Sequence, residues 1–270
     1  MSIITLTTVS YCESEQIITS AARQLNYELL GQEIIDKAAN EFNIKKTKIE
    51  KAIYEAPTSA HNVAPDKNKI ITLLQLTLIR QLLKDNIAYY GPAGFALVQG
   101  ISHVFKVRII ASLENRVKAM MEKEGRSLKD AEKSITKADN EYLKWSEFIF
   151  KIDMSNPNLY DLVINLDQID APAAIDIIVN TIKSKKFQSM TYSINCLKDT
   201  ELSLDLKSRL LEIDPRVMIK VKSGKVNIDT ICQKKNSNSR IKQINSIVEA
   251  VTDINNIESI RIIEDVFDNI

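Results

Sequence analysis

The chain has 270 residues, of which 44% are hydrophobic and 26% are charged, a composition typical of a globular protein with one large domain or two modest ones. Its formal net charge of +1 excludes a global electrostatic attraction to nucleic acid or to an anionic membrane. Three cysteines without a C-x-x-C spacing favour a reducing cytosol over a disulfide scaffold, and only two histidines disfavour a His/Cys zinc site.

The apolar runs are too short for a membrane protein. None approaches about 18 residues, the length that a spanning helix needs. The N-terminus also lacks the charge pattern of a signal peptide. We therefore predict a cytoplasmic protein without a membrane span.

The first two-thirds of the chain predicts a parallel sheet. Continuous apolar runs predict strands at 3–6, 86–91, 104–111 and 160–165. Runs that do not alternate with polar residues indicate strands covered on both faces. Helical periodicity separates them, at 17–25, 33–42, 69–83 and 113–149, and a last helix follows the N-cap residue Asp170. This order predicts a doubly wound α/β domain.

The remaining third predicts a different architecture. Residues 183–190 form a polar, basic joint that is short of hydrophobic anchors. Beyond it we predict a helix at 202–211, two alternating strands hinged at Ser223 and Gly224, a helix at 239–251 and a final strand at 257–264. The α-β-β-α-β order predicts a small α+β domain with its helices on one face of a three-stranded sheet. The predicted domains are therefore 1–185 and 192–270.

Three stretches of the first domain carry a resemblance to a known family. They are IITLTTVSYCESEQIITSAARQLNYELLGQEIIDKAA, VFKVRIIASLENRVKAMMEKEGRSLKDAEKSITKADNEY and NPNLYDLVINLDQIDAPAAIDIIV. In order and spacing they resemble the cytidylate-kinase-like branch of the P-loop nucleoside monophosphate kinases. The resemblance implies a P-loop kinase-like parallel sheet with a helical lid, and ATP or another nucleotide with Mg²⁺ as the candidate ligand; no cofactor is assigned with certainty.

The loop TVSYCESEQI departs from the family where phosphate should bind. Tyr11, Glu13 and Ser14 occupy positions where the branch has glycines that let backbone N–H groups approach a phosphate. Ser14 also falls at the lysine position, and Gln16 falls at the Ser/Thr position. Glu13 and Glu15 would repel a polyphosphate. The resemblance therefore implies a degenerate Walker A loop.

Three further positions lack expected polar groups of the family. Gly31 replaces an aspartate, Pro92 replaces the arginine of a GRG turn, and Tyr142 replaces a lid arginine. Phosphoryl transfer depends on cations and N–H donors around the migrating group. We therefore expect a pseudo-kinase more than an active kinase, and no catalytic residue is assigned.

Several family residues survive and define a candidate nucleotide site. Arg108 and Arg116 are expected to hold a phosphate, and Asp139 is expected to orient a lid arginine. The alternative is that Arg108 caps a strand end and the other charged residues form a solvated helical face. The full set of candidate binding residues is Ser10, Ser14, Gln16, Arg108, Arg116 and Asp139.

The C-terminal third resembles a BON domain, a small module named for its occurrence in bacterial proteins. The resemblance covers about residues 195–265 and depends on the element order and on VMIKVKSGKVNI, with its glycine turn. Members of this family are often tied to phospholipid or small-ligand binding. The alternative is a structural module that forms a homodimer.

Three functions remain open at the level of sequence. The first is a catalytically degenerate, kinase-like protein that senses a nucleotide or another small ligand, or acts as a regulatory scaffold. The second is an active CMP or dCMP kinase with an atypical phosphate loop. The third is a structural interaction protein that binds no nucleotide. Nucleic acid is not an expected partner, because the basic stretch KVRIIASLENRVK has no interleaved aromatic residues.

Overall fold

The computed structural model describes residues 2–12, 14–55, 65–91, 94–251, 254 and 256–264. Its strands are β1 (Ile3–Thr8), β2 (Glu28–Leu30), β3 (Ile87–Tyr90), β4 (Val104–Ile110), β5 (Leu162–Asn165), β6 (Met218–Lys222), β7 (Lys225–Cys232) and β8 (Asn256–Glu264). Its helices are α1 (Ser14–Leu25), α2 (Glu33–Phe42), α3 (Lys46–Tyr54), α4 (Pro65–Leu82), α5 (Gly94–Leu97), α6 (Leu113–Glu124), α7 (Leu128–Phe150), α8 (Ala171–Ile182), α9 (Thr191–Leu210) and α10 (Ser237–Glu249). The described helices include none with both the length and the apolar surface that a bilayer crossing demands.

The first sheet has five strands in the order β2-β3-β1-β4-β5, and every neighbouring pair is parallel. The central strand β1 pairs with β3 through Leu6 and Tyr90, and with β4 through Thr7 and Arg108. In a parallel sheet the carboxyl ends of all strands meet at one edge, and ligands bind at that edge in α/β proteins. The predicted α/β fold class is confirmed.

Alternation along β1 divides the interior into two cores. Ile4 and Leu6 face α1 and α8, whereas Ile3 faces α2 and α4. Successive side chains of a strand point to opposite faces, so a central strand must be apolar on both. The unbroken apolar run at the N-terminus therefore follows from helices covering both faces of the sheet.

The lid is built from α6 and α7. Val117 and Met120 of α6 pack against Ala131 and Ile135 of α7 in a small core of their own. The Ser127 hydroxyl accepts a hydrogen bond from the Asp130 N–H and caps α7, as the SLKD sequence predicts. The predicted helical excursion is thus a pair of helices.

The joint between the two predicted domains contains a buried aromatic residue, although its sequence is mostly polar and basic. Lys183, Lys185 and Lys186 are exposed, as expected. Phe187, however, is buried, and its ring centroid lies 4.6 Å from that of Phe105 on β4. The expectation of a joint without hydrophobic anchors is wrong, because a short 3-10 turn at Lys185–Phe187 carries one aromatic ring back to the first sheet.

The C-terminal sheet has the order β6-β7-β8, with β6 and β7 antiparallel and β7 and β8 parallel. Ser223 and Gly224 form the turn between β6 and β7, with φ angles of 54° and 73°. Positive φ at both central residues is the geometry of a tight hairpin turn. One core unites β6, β7, α9 and α10, so both helices lie on the same face of the sheet, as predicted.

Helix α9 belongs to two cores. Leu197 and Leu204 pack in the first core with α4, while Leu202, Leu206 and Leu210 pack in the C-terminal core. The helix begins at Thr191, well before the predicted start at Leu202. The prediction missed the first half of α9 because few residues of this segment are apolar, and a mostly polar sequence is typical of a linker.

His103 is a buried titratable group at the amino-terminal end of the first sheet. Its side chain is 1% exposed, and none of the residues that the structure describes forms a hydrogen bond with Nδ1. Burial lowers the pKa of His103 below its ordinary 6.5, and the N-terminus acts in the same direction while Asp85 opposes it. The folded protein therefore holds this imidazole neutral at pH values where the unfolded chain binds a proton.

We expect acid to destabilise the protein through His103. As pH falls from about 7 through 6.5, the unfolded state takes up a proton that the folded state refuses, so the free energy of unfolding decreases. His103→Phe should remove this part of the pH dependence. Urea unfolding of both proteins between about pH 5 and 7.5 measures it. Equal pH slopes for the two proteins would contradict the assignment.

Candidate functional site

The loop after β1 leaves the centre of the first sheet at its carboxyl edge. The Val9 N–H still donates to the Ile109 carbonyl at 3.3 Å, and the chain then turns away. Tyr11 makes this turn with φ of 60°, in the left-handed region that a glycine adopts without strain. A residue at a family glycine position thus keeps a glycine-like backbone but adds a side chain that is 40% exposed.

Arg116 and Asp139 fasten this loop to the lid. The Ser10 N–H donates to Asp139 Oδ1 at 3.2 Å, and Arg116 Nη1 donates to Asp139 Oδ2 at 2.7 Å. The same Nη1 donates to the Ser10 carbonyl at 3.2 Å, and Arg116 Nε donates to the Ala111 carbonyl at 3.1 Å. Arg116 is 7% exposed. The structure therefore brings Ser10, Arg116 and Asp139 together, and Asp139 contacts an arginine of the lid.

Arg108 lies apart from that cluster, on the face of β4 opposite α1. It is 8% exposed, and Arg116 is buried as well, so neither arginine belongs to a solvated face. Its Nη1 lies 3.4 Å from the Tyr160 hydroxyl, which donates to the Met154 carbonyl, and its guanidinium carbon lies 5.4 Å from the Tyr160 ring centroid. Within the described residues no carboxylate forms an ion pair with Arg108. Arg108 is therefore a buried cation whose hydrogen bond, among the described residues, is to the Tyr160 hydroxyl.

Ser14 and Gln16 do not join either arginine. Ser14 is fully buried, and its hydroxyl lies 3.4 Å from the Cys12 carbonyl and 3.3 Å from the Tyr90 hydroxyl. Gln16 is exposed on the surface of α1. The position that aligns with the family lysine thus points into the protein. Glu13 and Pro92, two of the predicted departures, lie outside the described residues.

Two other departures have local explanations. The Gly31 N–H donates to Glu33 Oε1 at 2.8 Å, so a carboxylate lies beside the position where the family has an aspartate. Tyr142 stacks on Trp145, with ring centroids 5.8 Å apart. Burial raises the pKa of Tyr142, so its hydroxyl stays neutral.

Asp167 is a structural residue of this edge that sequence reasoning missed. It follows β5 and accepts hydrogen bonds from the Ser112 N–H at 3.0 Å, from the Ser112 hydroxyl at 3.1 Å and from the Asn115 amide at 2.7 Å. These bonds, led by that from the Ser112 N–H, lower the pKa of Asp167. Its signal was an acidic residue directly after a predicted strand. It fixes the start of α6 beside the β1 loop.

The edge offers no reactive thiol and no ready metal site. Burial raises the pKa of Cys12, with a hydrogen bond to Thr8 opposing it, so the thiol stays protonated. No group of three or more His, Cys, Asp or Glu side chains within the described ranges is placed to hold a metal ion. For Mg²⁺, Gln16 supplies no hydroxyl, and the Asp167 oxygens already accept from Ser112 and Asn115. These residues do not fit a protein-held magnesium ion.

The strand order, the helices on both faces and the helical lid define a P-loop kinase-like α/β fold with a small additional C-terminal sheet. The sequence model of the cytidylate kinase-like family matches residues 3–168, and the chain belongs to that family. The match leaves the C-terminal sheet outside. The comparison with curated proteins found no match.

Solved structures are similar in fold to about two-thirds of this chain. An uncharacterized protein from Eubacterium ventriosum superposes with a TM-score of 0.54 at 19% identity, over 68% of this chain and 99% of that one. Shikimate kinase from Bacteroides thetaiotaomicron has a TM-score of 0.42 at 9% identity, over 68% and 99%. The YorR protein from Bacillus subtilis, solved with phosphorylated GDP, has 0.42 at 11%, over 70% and 100%.

Restoring the family lysine alone should damage this protein. In Ser14→Lys an ammonium replaces a fully buried hydroxyl, so we expect a loss of about 2 to 4 kcal/mol in the free energy of unfolding. Gln16→Lys adds the same side chain at an exposed position of the same helix and should cost little. Chemical denaturation of both variants measures the difference. Equal stabilities would contradict the inward orientation of Ser14.

Proposed function

We propose that this protein is a catalytically degenerate member of the cytidylate kinase-like family that senses a nucleotide or another small anionic ligand in a regulatory role. It does not transfer phosphate. The proposal joins family membership, which supports a nucleotide-like ligand, with a β1 loop that has no lysine and no glycine.

One observation carries the proposal: the backbone groups of Ser10 in the loop form hydrogen bonds with side chains of the protein itself. The Ser10 N–H donates to Asp139, and the Ser10 carbonyl accepts from Arg116. A phosphate loop works because its N–H groups and its lysine face the migrating phosphate. Here the Ser10 N–H donates to the Asp139 carboxylate, and the buried Ser14 stands where the resemblance places the family's lysine. The negative charge that develops in phosphoryl transfer would therefore lack stabilisation.

The unpaired cation at the same edge supports ligand binding over a purely structural role. Burying a guanidinium without a carboxylate is unfavourable, because its lost hydration is not replaced. Arg108 has one long hydrogen bond, to a neutral hydroxyl, and a ring contact. An anionic group of a ligand would supply the missing acceptors. Asp153, a carboxylate that interacts electrostatically with Arg108, is exposed and accepts a hydrogen bond from the Ser155 N–H.

We further propose that residues 192–270 form a BON-like module that acts as the regulatory or dimerising arm. Its element order and its turn at Ser223 and Gly224 support this assignment. Arg80 of α4 bonds Glu41 of α2 and Glu201 of α9, so a polar contact joins this arm to helices that cover the first sheet. A movement of the C-terminal arm would therefore shift the helices that cover the first sheet, and a movement of those helices would shift the arm.

We expect no phosphate transfer from ATP to CMP, dCMP or UMP in the presence of Mg²⁺. Ordinary enzymes turn over about 1 to 1,000 times per second, and a coupled assay detects far less. A rate in that range would establish an active kinase with an atypical loop. Calorimetric titration with ATP and CMP separates the two inactive alternatives, since a scaffold that binds no nucleotide gives no heat of binding.

Arg108→Met should weaken ligand binding at least about tenfold without lowering the melting temperature. Methionine fills the space and removes an uncompensated buried charge, so the fold loses nothing. Lys106→Met is the matched control, because Lys106 lies two residues away on β4 and pairs with Asp161 at 2.8 Å. It should reduce stability slightly and leave binding unchanged. If Arg108→Met instead destabilises the fold and binds normally, Arg108 is a structural residue.

A further inference from the structure

The Asp139 carboxylate takes the place of a bound anion. One of its oxygens accepts from the loop N–H of Ser10, and the other accepts from the guanidinium of Arg116. Backbone N–H groups of loops and arginine side chains are donors that proteins use for phosphate oxygens. The protein therefore satisfies both donors with a side chain of its own lid.

We propose that Asp139 is an internal competitor of the ligand: it latches the lid onto the β1 loop, and a phosphate-bearing ligand engages the loop only by displacing it. The inference deepens the proposed function, because it assumes that an anionic ligand binds at this edge. It assigns to one carboxylate the control of when that edge is open.

The position of Asp139 along α7 suits a latch. The C-terminal half of the helix is fixed, since Trp145 is buried in the first core and donates from Nε1 to the Ala52 carbonyl at 3.3 Å. The N-terminal half packs through Ala131 and Ile135 on α6, in a core separate from those of the sheet. Asp139 lies between the two halves. A segment with few buried apolar contacts opens at low free-energy cost, so polar contacts decide its position.

Arg116 lies in the first turn of α6, which Asp167 holds through Ser112 and Asn115, so it would remain in place when Asp139 and the N-terminal half of α7 move away. Its Nε still donates to the Ala111 carbonyl and its Nη1 still donates to the Ser10 carbonyl. Removal of Asp139 therefore changes the site from a neutral ion pair to a fixed positive charge beside a freed N–H. That combination attracts an anion.

The test compares Asp139→Ala and Asp139→Asn with a matched control, Glu141→Gln. Glu141 is exposed on the same helix and lies 3.8 Å from Lys137, so its loss changes the charge of α7 without touching the loop. Asp139→Asn keeps the size of the side chain and serves if the alanine variant does not fold. The first measurement is hydrogen exchange of the Ser10 amide without ligand, and the second is calorimetric binding of inorganic tripolyphosphate.

In Asp139→Ala we expect faster exchange at Ser10 and binding at least about tenfold tighter than in the unmodified protein, while Glu141→Gln changes neither. If Asp139→Ala folds and Ser10 exchange is unchanged, the latch is wrong. If exchange accelerates and the unmodified protein binds but the variant binds no better, competition is wrong and ligand sensing stands. If exchange accelerates and neither protein binds tripolyphosphate or ATP, the competition and the sensing function both fall.

Discussion

The buried guanidinium of Arg116 connects the three parts of the candidate site. It contacts the end of β4 through Ala111, the β1 loop through Ser10 and the lid through Asp139. The Arg116 side chain is 8% exposed, whereas the Asp139 side chain is 24% exposed, so the carboxylate of the pair stays partly hydrated. The position of the loop relative to the lid therefore depends on this ion pair.

Two arginines of the same edge have opposite relations to the chain. Arg116 donates to a carboxylate and two carbonyls, whereas the hydrogen bond of Arg108 within the described part of the chain is a long one to the hydroxyl of Tyr160. The two arginines are therefore buried to a similar degree but have different hydrogen-bond partners. Arg116 contacts the protein's own backbone and lid, whereas Arg108 contacts the ring and hydroxyl of one tyrosine. Residue type alone does not distinguish these two environments.

The sequence predicted the α/β architecture well because parallel strands covered on both faces leave long apolar runs. It missed β2, which has three residues with only Leu30 buried, and the short α5. In the site, family spacing selected Arg116 and Asp139, but the bond between Ser10 and Asp139 joins residues 129 positions apart. The pattern of neighbouring residues in the sequence does not predict a contact between residues so far apart. The inward turn of Ser14 and the exposure of Gln16 were equally unreadable, because both depend on how α1 is rotated against the sheet.

Helix α9 gives the chain an unusual boundary. By position it belongs to the C-terminal unit, but Leu197 and Leu204 complete the core beneath α4, while Leu206 and Leu210 face the second sheet. The division between the units thus runs lengthwise along a helix and not across a linker. A cut on either side of α9 would leave one unit with an open apolar groove where the helix had been. Evolution could exchange the C-terminal sheet for another, but the helix that carries it would have to stay.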